Sequence, residues 1–169
     1  MYSRGTVLSS PNAVPRRVKS FEPRRRGLGQ MPYKFLPDVA LADIAFEADS
    51  ASVGRLFESC ARALSDVMVD RRTLEPRVTR RLRLKGVDPD GLLYDFLTEL
   101  IVLKDVDSLL FKKFRVAVPG DGSLEATAEG ERIDRSRHRL RNDVKAVTMH
   151  MFGVRLEGGR WRATVVLDI

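Results

Sequence analysis

The sequence predicts an α+β fold, a two-layer domain in which a mixed β-sheet packs against two amphipathic helices. Three observations predict this class. Two segments carry apolar residues at helical spacing, a strand of alternating basic and apolar residues separates them, and only extended segments follow the second helix. The expected order is strand, helix, strand, helix and then about four further strands.

The first strand and the first helix are predicted from local signals. Residues 44–47 form a short apolar run that is typical of a strand. Ser52 can then cap a helix that runs to about Val69, with apolar residues recurring along one face. The single cysteine, Cys60, falls on that face. We therefore expect Cys60 to be a small core residue rather than a nucleophile.

The second half of the pattern begins with a basic strand. Residues 79–85 alternate strictly, so that Arg81, Arg83 and Lys85 lie on one side of the strand. Asp88 then caps a second helix that opens with a proline. The later strands are predicted at Leu109–Val118, Leu124–Glu131, Val144–Val154 and Trp161–Leu167.

The positive charge of the chain is concentrated at its beginning. The formal net charge is +7, but residues 1–31 hold seven basic side chains and one acid, whereas residues 32–169 are nearly neutral. We expect residues 1–31 to be a basic disordered extension and residues 32–169 to be the folded domain. The extension could bind nucleic acid, lack a specific role, or lie outside the mature chain if translation starts at Met31.

Composition excludes several classes of protein. One cysteine cannot form an internal disulfide, and no apolar run is long enough to cross a bilayer or to act as a secretory signal. We therefore expect a soluble cytoplasmic protein without a membrane partner. No catalytic signature is found, neither a phosphate-binding glycine loop nor a nucleophile elbow, so an enzyme is the least favoured reading.

Among the polar groups, the carboxylates give the clearest indication of a binding site. Asp168 follows an apolar run at the end of the sequence, beside the free carboxylate of Ile169. Two adjacent negative charges in a folded sheet would repel each other, and a hard cation such as Ca²⁺ or Mg²⁺, bound through oxygen atoms, would relieve that repulsion. Asp38 and Asp43 could supply further oxygen ligands.

Four segments resemble, in order, sequence blocks of the archease family, and the resemblance covers residues 32–169. Asp143–His150 resembles the "VKAVTxH" strand of that family, and Trp161–Ile169 is similar to its terminal "W-x-A-x-V-x-L-D-I". Leu92–Leu100 and Glu129–Glu131, which both precede these two segments, match two further blocks.

The resemblance implies an accessory protein without enzymatic activity. Archeases activate the RNA ligase that joins RNA 2′,3′-cyclic-phosphate or 3′-phosphate ends to 5′-hydroxyl ends, as in tRNA splicing, by promoting ligase guanylylation and multiple turnover. RNA would be reached indirectly, through this ligase. By position, Asp43 and Asp168 match acidic residues that bind a divalent cation in the family, and Lys145 matches a functionally important lysine.

One segment departs from the family pattern. Many members read "F-L-x-H-T-A-D", whereas residues 35–43 are two residues longer and place Asp38 where the histidine is expected. Asp38 either joins the cation ligands or caps the strand.

Two other functions stay open at the level of sequence. An RNA-binding module could use Arg81, Arg83, Lys85 and the Arg132–Arg141 run, although such arginines are often only solvated and few aromatic residues accompany them. A chaperone-like interaction protein would need an exposed apolar patch.

Overall fold

The structure, a computed structural model, describes residues 32–40 and 43–169; for residues 38–40 it describes the backbone only. Two helices and seven strands form in this part of the chain. The elements are β1 (Tyr33–Ala40), β2 (Asp43–Ser50), α1 (Val53–Met68), β3 (Val78–Lys85), α2 (Pro89–Asp107), β4 (Leu109–Ala117), β5 (Ser123–Arg132), β6 (Ala146–Glu157) and β7 (Arg160–Asp168), with a short 3-10 turn at Arg71–Thr73.

The strands form two separate antiparallel sheets, in the orders β1-β2-β7-β6 and β3-β5-β4. The predicted α+β class with two helices is confirmed, but the prediction of one mixed sheet is wrong. A parallel pair requires a long crossover connection, whereas tight turns join β4 to β5 and β6 to β7 and so make those neighbours antiparallel.

The sequence patterns missed β1 as a strand of its own. Residues 33–48 are mostly apolar, and no glycine or asparagine between 36 and 48 signals a turn. Pro37 lies in β1, which is an edge strand of its sheet. A proline is tolerated there because an edge strand has backbone N–H groups without a ladder partner.

Both helices begin at the predicted caps. The Ser52 hydroxyl accepts a hydrogen bond from the backbone N–H of Arg55, and Asp88 Oδ1 accepts one from the N–H of Gly91 at 2.8 Å. Cys60 is fully buried on the apolar face of α1, and burial raises the pKa of its thiol. Neither helix of the described chain is long and apolar enough to cross a membrane.

A single core joins the two sheets, because each helix contacts strands of both. Phe46 of β2 and Val165 of β7 are fully buried and lie opposite each other on the core side of the first sheet. The adjacent residues of these strands must face the other side, since side chains alternate along a strand. This alternation decides which carboxylates point away from the core.

The two edge strands of the four-stranded sheet are irregular. The pairing of β1 shifts register between Leu36 and Ala40. On β6 it shifts between Thr148 and Gly153, while the partner strand advances only from Val166 to Thr164. The residues inserted in β6 include Met151, whose φ of 54° lies in the left-handed region.

Candidate functional site

The candidate site lies where β2 begins and β7 ends. Asp43 and Asp168 are direct cross-strand partners in the antiparallel ladder, and Ala146 of β6 is the partner of Asp168 on its other side. Directly opposed residues of such a pair carry their side chains on the same face, with Cβ atoms roughly 4.5–5.5 Å apart. The fold therefore brings together the two carboxylates that the sequence singled out.

Neither carboxylate is neutralised by the described part of the chain. The side chains of Asp43 and Asp168 form no ion pair or hydrogen bond with any residue in the described ranges, and both residues are half-buried. Like charges directly opposite each other destabilise a sheet. A cation between them would convert this repulsion into attraction.

The C-terminal residue is held against the core. Ile169 is half-buried, and its side chain packs against the hydrophobic core. The main chain directly after Asp168 is therefore restrained by packing.

A second polar feature lies on the same face. Thr148 is opposite Val166, and its buried Oγ1 has no hydrogen-bond partner in the described chain. The alternation along β6 and β7 puts this hydroxyl on the side of Asp168. Buried polar atoms are normally satisfied by protein, water or a ligand, so an orphaned oxygen here is consistent with a polar ligand or an ordered water.

Lys145 is tied to Asp168 through the backbone. Its N–H donates a 2.8 Å hydrogen bond to the carbonyl oxygen of Asp168, and its side chain is exposed. The residues just before it are anchored by Lys104 of α2, whose ammonium pairs with Asp143. The hydrogen bond from Lys104 lowers the pKa of the Asp143 carboxyl. Nothing in the sequence pattern pointed to Lys104.

The fourth predicted ligand residue is Asp38. The side chain of Asp38 lies outside the described part of the structure. Among the residues whose side chains are described, no group of three or more His, Cys, Asp or Glu side chains could hold a metal ion. The site as described consists of two side-chain carboxylates, whose oxygen atoms are ligands of the kind that Ca²⁺ and Mg²⁺ prefer.

A buried charge network fixes the loop that leads to Lys145. Glu131 at the end of β5 is only 4% exposed and accepts hydrogen bonds from the backbone N–H of Glu75 and from the guanidinium of Arg137, while the ring of His138 lies 2.9 Å away. The hydrogen bonds from Arg137 are the main reason that the pKa of Glu131 falls to about 2. The sequence identified Glu131 only as part of a family block.

The same network changes the interpretation of the Arg132–Arg141 run. Arg137 is committed to Glu131, and Arg141 donates a hydrogen bond to the backbone carbonyl of Asp66. Arg132 likewise donates to the carbonyl of Asp107. Much of this run therefore anchors the loop to the domain instead of forming a free basic surface.

The fold and the acidic sheet end together define a small α+β protein with two directly opposed carboxylates at one end of its four-stranded sheet. The archease protein family matches residues 33–169, and the chain belongs to that family. The archease of Pyrococcus abyssi is 37% identical over 132 residues, covering 76% of this chain and 93% of that protein. The archease of Methanothermobacter thermautotrophicus is 39% identical over 131 residues, with the same coverage.

Solved structures agree with this assignment. The solution structure of Methanobacterium thermoautotrophicum protein 1598 is 37% identical, covers 82% of this chain and 99% of its own, and superposes with a TM-score of 0.72. A crystal structure from Thermotoga maritima, described as an archease and possible chaperone, is 17% identical with a TM-score of 0.56. At that identity the likeness shows the fold alone.

Proposed function

We propose that this protein is a non-enzymatic activator of the RNA ligase that joins RNA 2′,3′-cyclic-phosphate or 3′-phosphate ends to 5′-hydroxyl ends, as in tRNA splicing. Membership of the archease family supports the proposal. The structural observation that carries it is the in-register pair Asp43 and Asp168, whose carboxylates have no cationic partner among the described residues.

Asp43, Asp168 and Ile169 would hold the divalent cation, Ca²⁺ or Mg²⁺. When bound, such a cation supplies positive charge that can neutralise phosphate oxygens during nucleotide transfer. The role of the chain itself is to present the carboxylates already aligned by the β2–β7 ladder. Pre-organisation of this kind lowers the entropic cost of ordering the ligands when the cation binds.

The surroundings of the acidic end suit contact with another protein. Lys145 is exposed, and the inserted residues of β6 place Met149 and Met151 in solvent, with 68% and 57% of their surfaces exposed. Methionine is flexible and polarisable, and it adapts well to apolar partner surfaces. We infer that this end docks at the ligase active-site entrance, with Lys145 and the carboxylates providing charge and the methionines providing apolar contact.

A ligase turnover assay tests the proposal. RNA joining is measured with and without this protein, first in metal-free buffer and then after Ca²⁺ or Mg²⁺ is restored. The variants are Asp43→Asn and Asp168→Asn, which preserve side-chain size. The matched control is Asp49→Asn, because Asp49 lies on β2 and on the same face but already pairs with Arg160 at 2.8 Å.

We expect wild type and the Asp49 variant to support multiple turnover and ligase guanylylation. Both site variants should lose that effect while still folding and unfolding in one cooperative transition. Full activation by both site variants would refute a role for the carboxylate pair. Activation that is unchanged by removal of divalent cations from this protein would refute the role of the cation.

A further inference from the structure

A second charged surface lies on the three-stranded sheet, on the side that faces away from the helices. Leu82 of β3 and Ala128 of β5 point into the core, so the neighbouring residues of these strands point outward. We call the outward set the basic sheet face. It comprises Arg81, Arg83, Lys85, Lys113, Arg115, Thr127, Glu125 and Glu129.

Two of the cations on this face are offset by glutamates of the central strand. Arg83 pairs with Glu125 at 3.5 Å, although both side chains are largely exposed, and Lys113 lies directly opposite Glu129 in the ladder. Exposed pairs of this kind contribute little stability. The glutamates of the central strand reduce the positive charge of the face without removing it, because the face holds five cations and only two anions.

The remaining cations form no ion pair within the described residues, although the charge of Lys85 contributes to lowering the pKa of Asp121. Arg81, Lys85 and Arg115 form no ion pair or hydrogen bond through their side chains with any residue in the described ranges. Arg81 and Arg115 are both in register with Thr127, so they flank its hydroxyl in one row across the sheet. Adjacent strands lie about 4.8 Å apart, which places the two arginine backbones roughly 10 Å from each other.

This row has the chemistry of a phosphate-contacting surface. A guanidinium offers a planar fork of N–H donors that matches a phosphate, and a threonine hydroxyl can donate a third hydrogen bond. Arg81, Arg83 and Lys85 follow each other along β3 at intervals of about 6.6 Å. A polyanionic strand laid along β3 would therefore meet a cation at each outward position.

The face lacks the features of a protein-docking surface. Among the described residues, the exposed large hydrophobic side chains belong to other parts of the fold; they are Val87, Val102, Val106, Leu140, Met149, Met151 and Leu156. Stable protein interfaces depend on buried aromatic or aliphatic anchors. Phosphate contacts depend only on cations and hydroxyl groups, which the basic sheet face supplies.

We propose that the basic sheet face binds an RNA strand through its phosphates, without reading its bases. The phosphate contact follows from the charges and the register of the face. The choice of RNA over DNA rests on the proposed function, which brings this protein to RNA ends. Direct contact with RNA would be an activity of this domain separate from the acidic end, which lies on the other sheet.

The test measures binding of a fluorescent single-stranded RNA by anisotropy, without ligase, over a series of salt concentrations. The variant is the full chain carrying Arg81→Gln and Arg115→Gln. The control carries Arg55→Gln and Arg155→Gln, which removes the same charge from two exposed arginines on α1 and β6. Residues 1–31 are identical in both proteins, so any affinity that they contribute is common to both.

We expect the face variant to bind RNA roughly tenfold more weakly at low salt. Its plot of log affinity against log salt should be shallower by about 1.4, the value for two lost phosphate contacts on a single strand. The control should follow wild type. Equal behaviour of the face variant and the control would overturn the proposal, because net charge or residues 1–31 would then explain the binding.

Two further arms test the occupant. A polyglutamate peptide that binds as tightly as RNA, with the same loss in the face variant, would show that the face takes acidic polypeptides and would overturn the assignment to RNA. Binding of DNA of the same sequence is measured in parallel. If the face variant lost affinity for DNA only, the assignment to RNA would also be overturned. Because ligase is absent, these outcomes are independent of whether the protein activates a ligase.

Discussion

The carboxylates of Asp43 and Asp168 occupy directly opposed positions of β2 and β7, without a cationic partner among the described residues. Repulsion between them should make the cation-free protein less stable than its Asp168→Asn variant, by less than about 1 kcal/mol. Added Ca²⁺ or Mg²⁺ should raise the melting temperature of wild type, since a ligand that binds only the folded state stabilises it.

The matched measurement uses Asp49→Asn, which leaves the opposed pair intact. We expect this variant to gain stability from the cation as wild type does, and the Asp168 variant to gain much less. If the cation stabilised all three proteins equally, the opposed pair would not be its binding site.

The ion pair between Glu131 and Arg137 should control acid stability. The pKa of Glu131 lies at about 2 in the folded protein, below its usual 4.5, because Arg137 donates hydrogen bonds to it. The unfolded state therefore takes up a proton at higher pH than the folded state does. Stability from this group is present above about pH 4.5 and is lost as the pH falls towards 2.

Replacing Glu131 with Gln should remove this dependence. We expect Glu131→Gln to lower the free energy of unfolding by about 2–3 kcal/mol at neutral pH, with Arg137 and His138 left without their carboxylate partner. The stability of the variant should change less with pH across the acidic window. Glu125→Gln, an exposed change on the same strand, is the control. The free energy of unfolding is measured in urea across this pH range. If it depended on pH in the same way for wild type and Glu131→Gln, this account would be wrong.

Gly130 of β5 lies opposite Phe111 in the β4–β5 ladder, close to the β4 backbone. A Cβ added there would overlap the carbonyl oxygen of Leu110 and would be 2.6 Å from the Cα of Phe111. Because both neighbours are backbone atoms, they cannot move aside cheaply. We expect Gly130→Ala to cost about 3 kcal/mol or more, or to prevent folding.

Gly153→Ala is the natural comparison, because nothing lies within 4 Å of a Cβ at that position. Its effect should be within about 0.5 kcal/mol. Thermal unfolding of both variants measures the difference. A Gly130→Ala protein that melts with wild type would mean that the two strands are further apart than described.

Ser108 ends α2 in the left-handed conformation, with φ of 55° and ψ of 42°. A side chain is disfavoured in this conformation and glycine is not, so Ser108→Gly should stabilise the protein by about 1 kcal/mol. The melting temperature should rise by a few degrees. Ser108→Ala keeps a Cβ and should show no such gain; an equal gain from alanine would exclude relief of backbone strain as the cause.

Features that depend on neighbouring residues were predictable from the sequence. The Ser52 cap, the start of α2 after Asp88 and the burial of Cys60 all follow from signals within a few residues. The split into two sheets did not follow from such signals, because strand pairing joins remote segments. Strand β1 was missed for the same reason, since its pairing partner and not its own pattern distinguishes it.

In the candidate site, too, the individual residues could be recognised from the sequence, whereas their spatial relationships could not. Asp43 and Asp168 were identified by a family resemblance and by their charge, but only the register of β2 and β7 shows that they are neighbours. Lys104 and Glu131 were not recognised as supports of the segment before Lys145. Their partners, Asp143 and Arg137, lie on the connection between β5 and β6, whose path no local pattern predicts.

The irregular outer strands of the four-stranded sheet have a consequence for self-association. An exposed, regular edge strand is a template on which a second chain can add its own strand, and this is a common route to aggregation. Here β1 changes register between Leu36 and Ala40, and β6 does so between Thr148 and Gly153. Neither edge offers a long uninterrupted row of donors and acceptors, so the sheet is protected on both sides against growth into an intermolecular one.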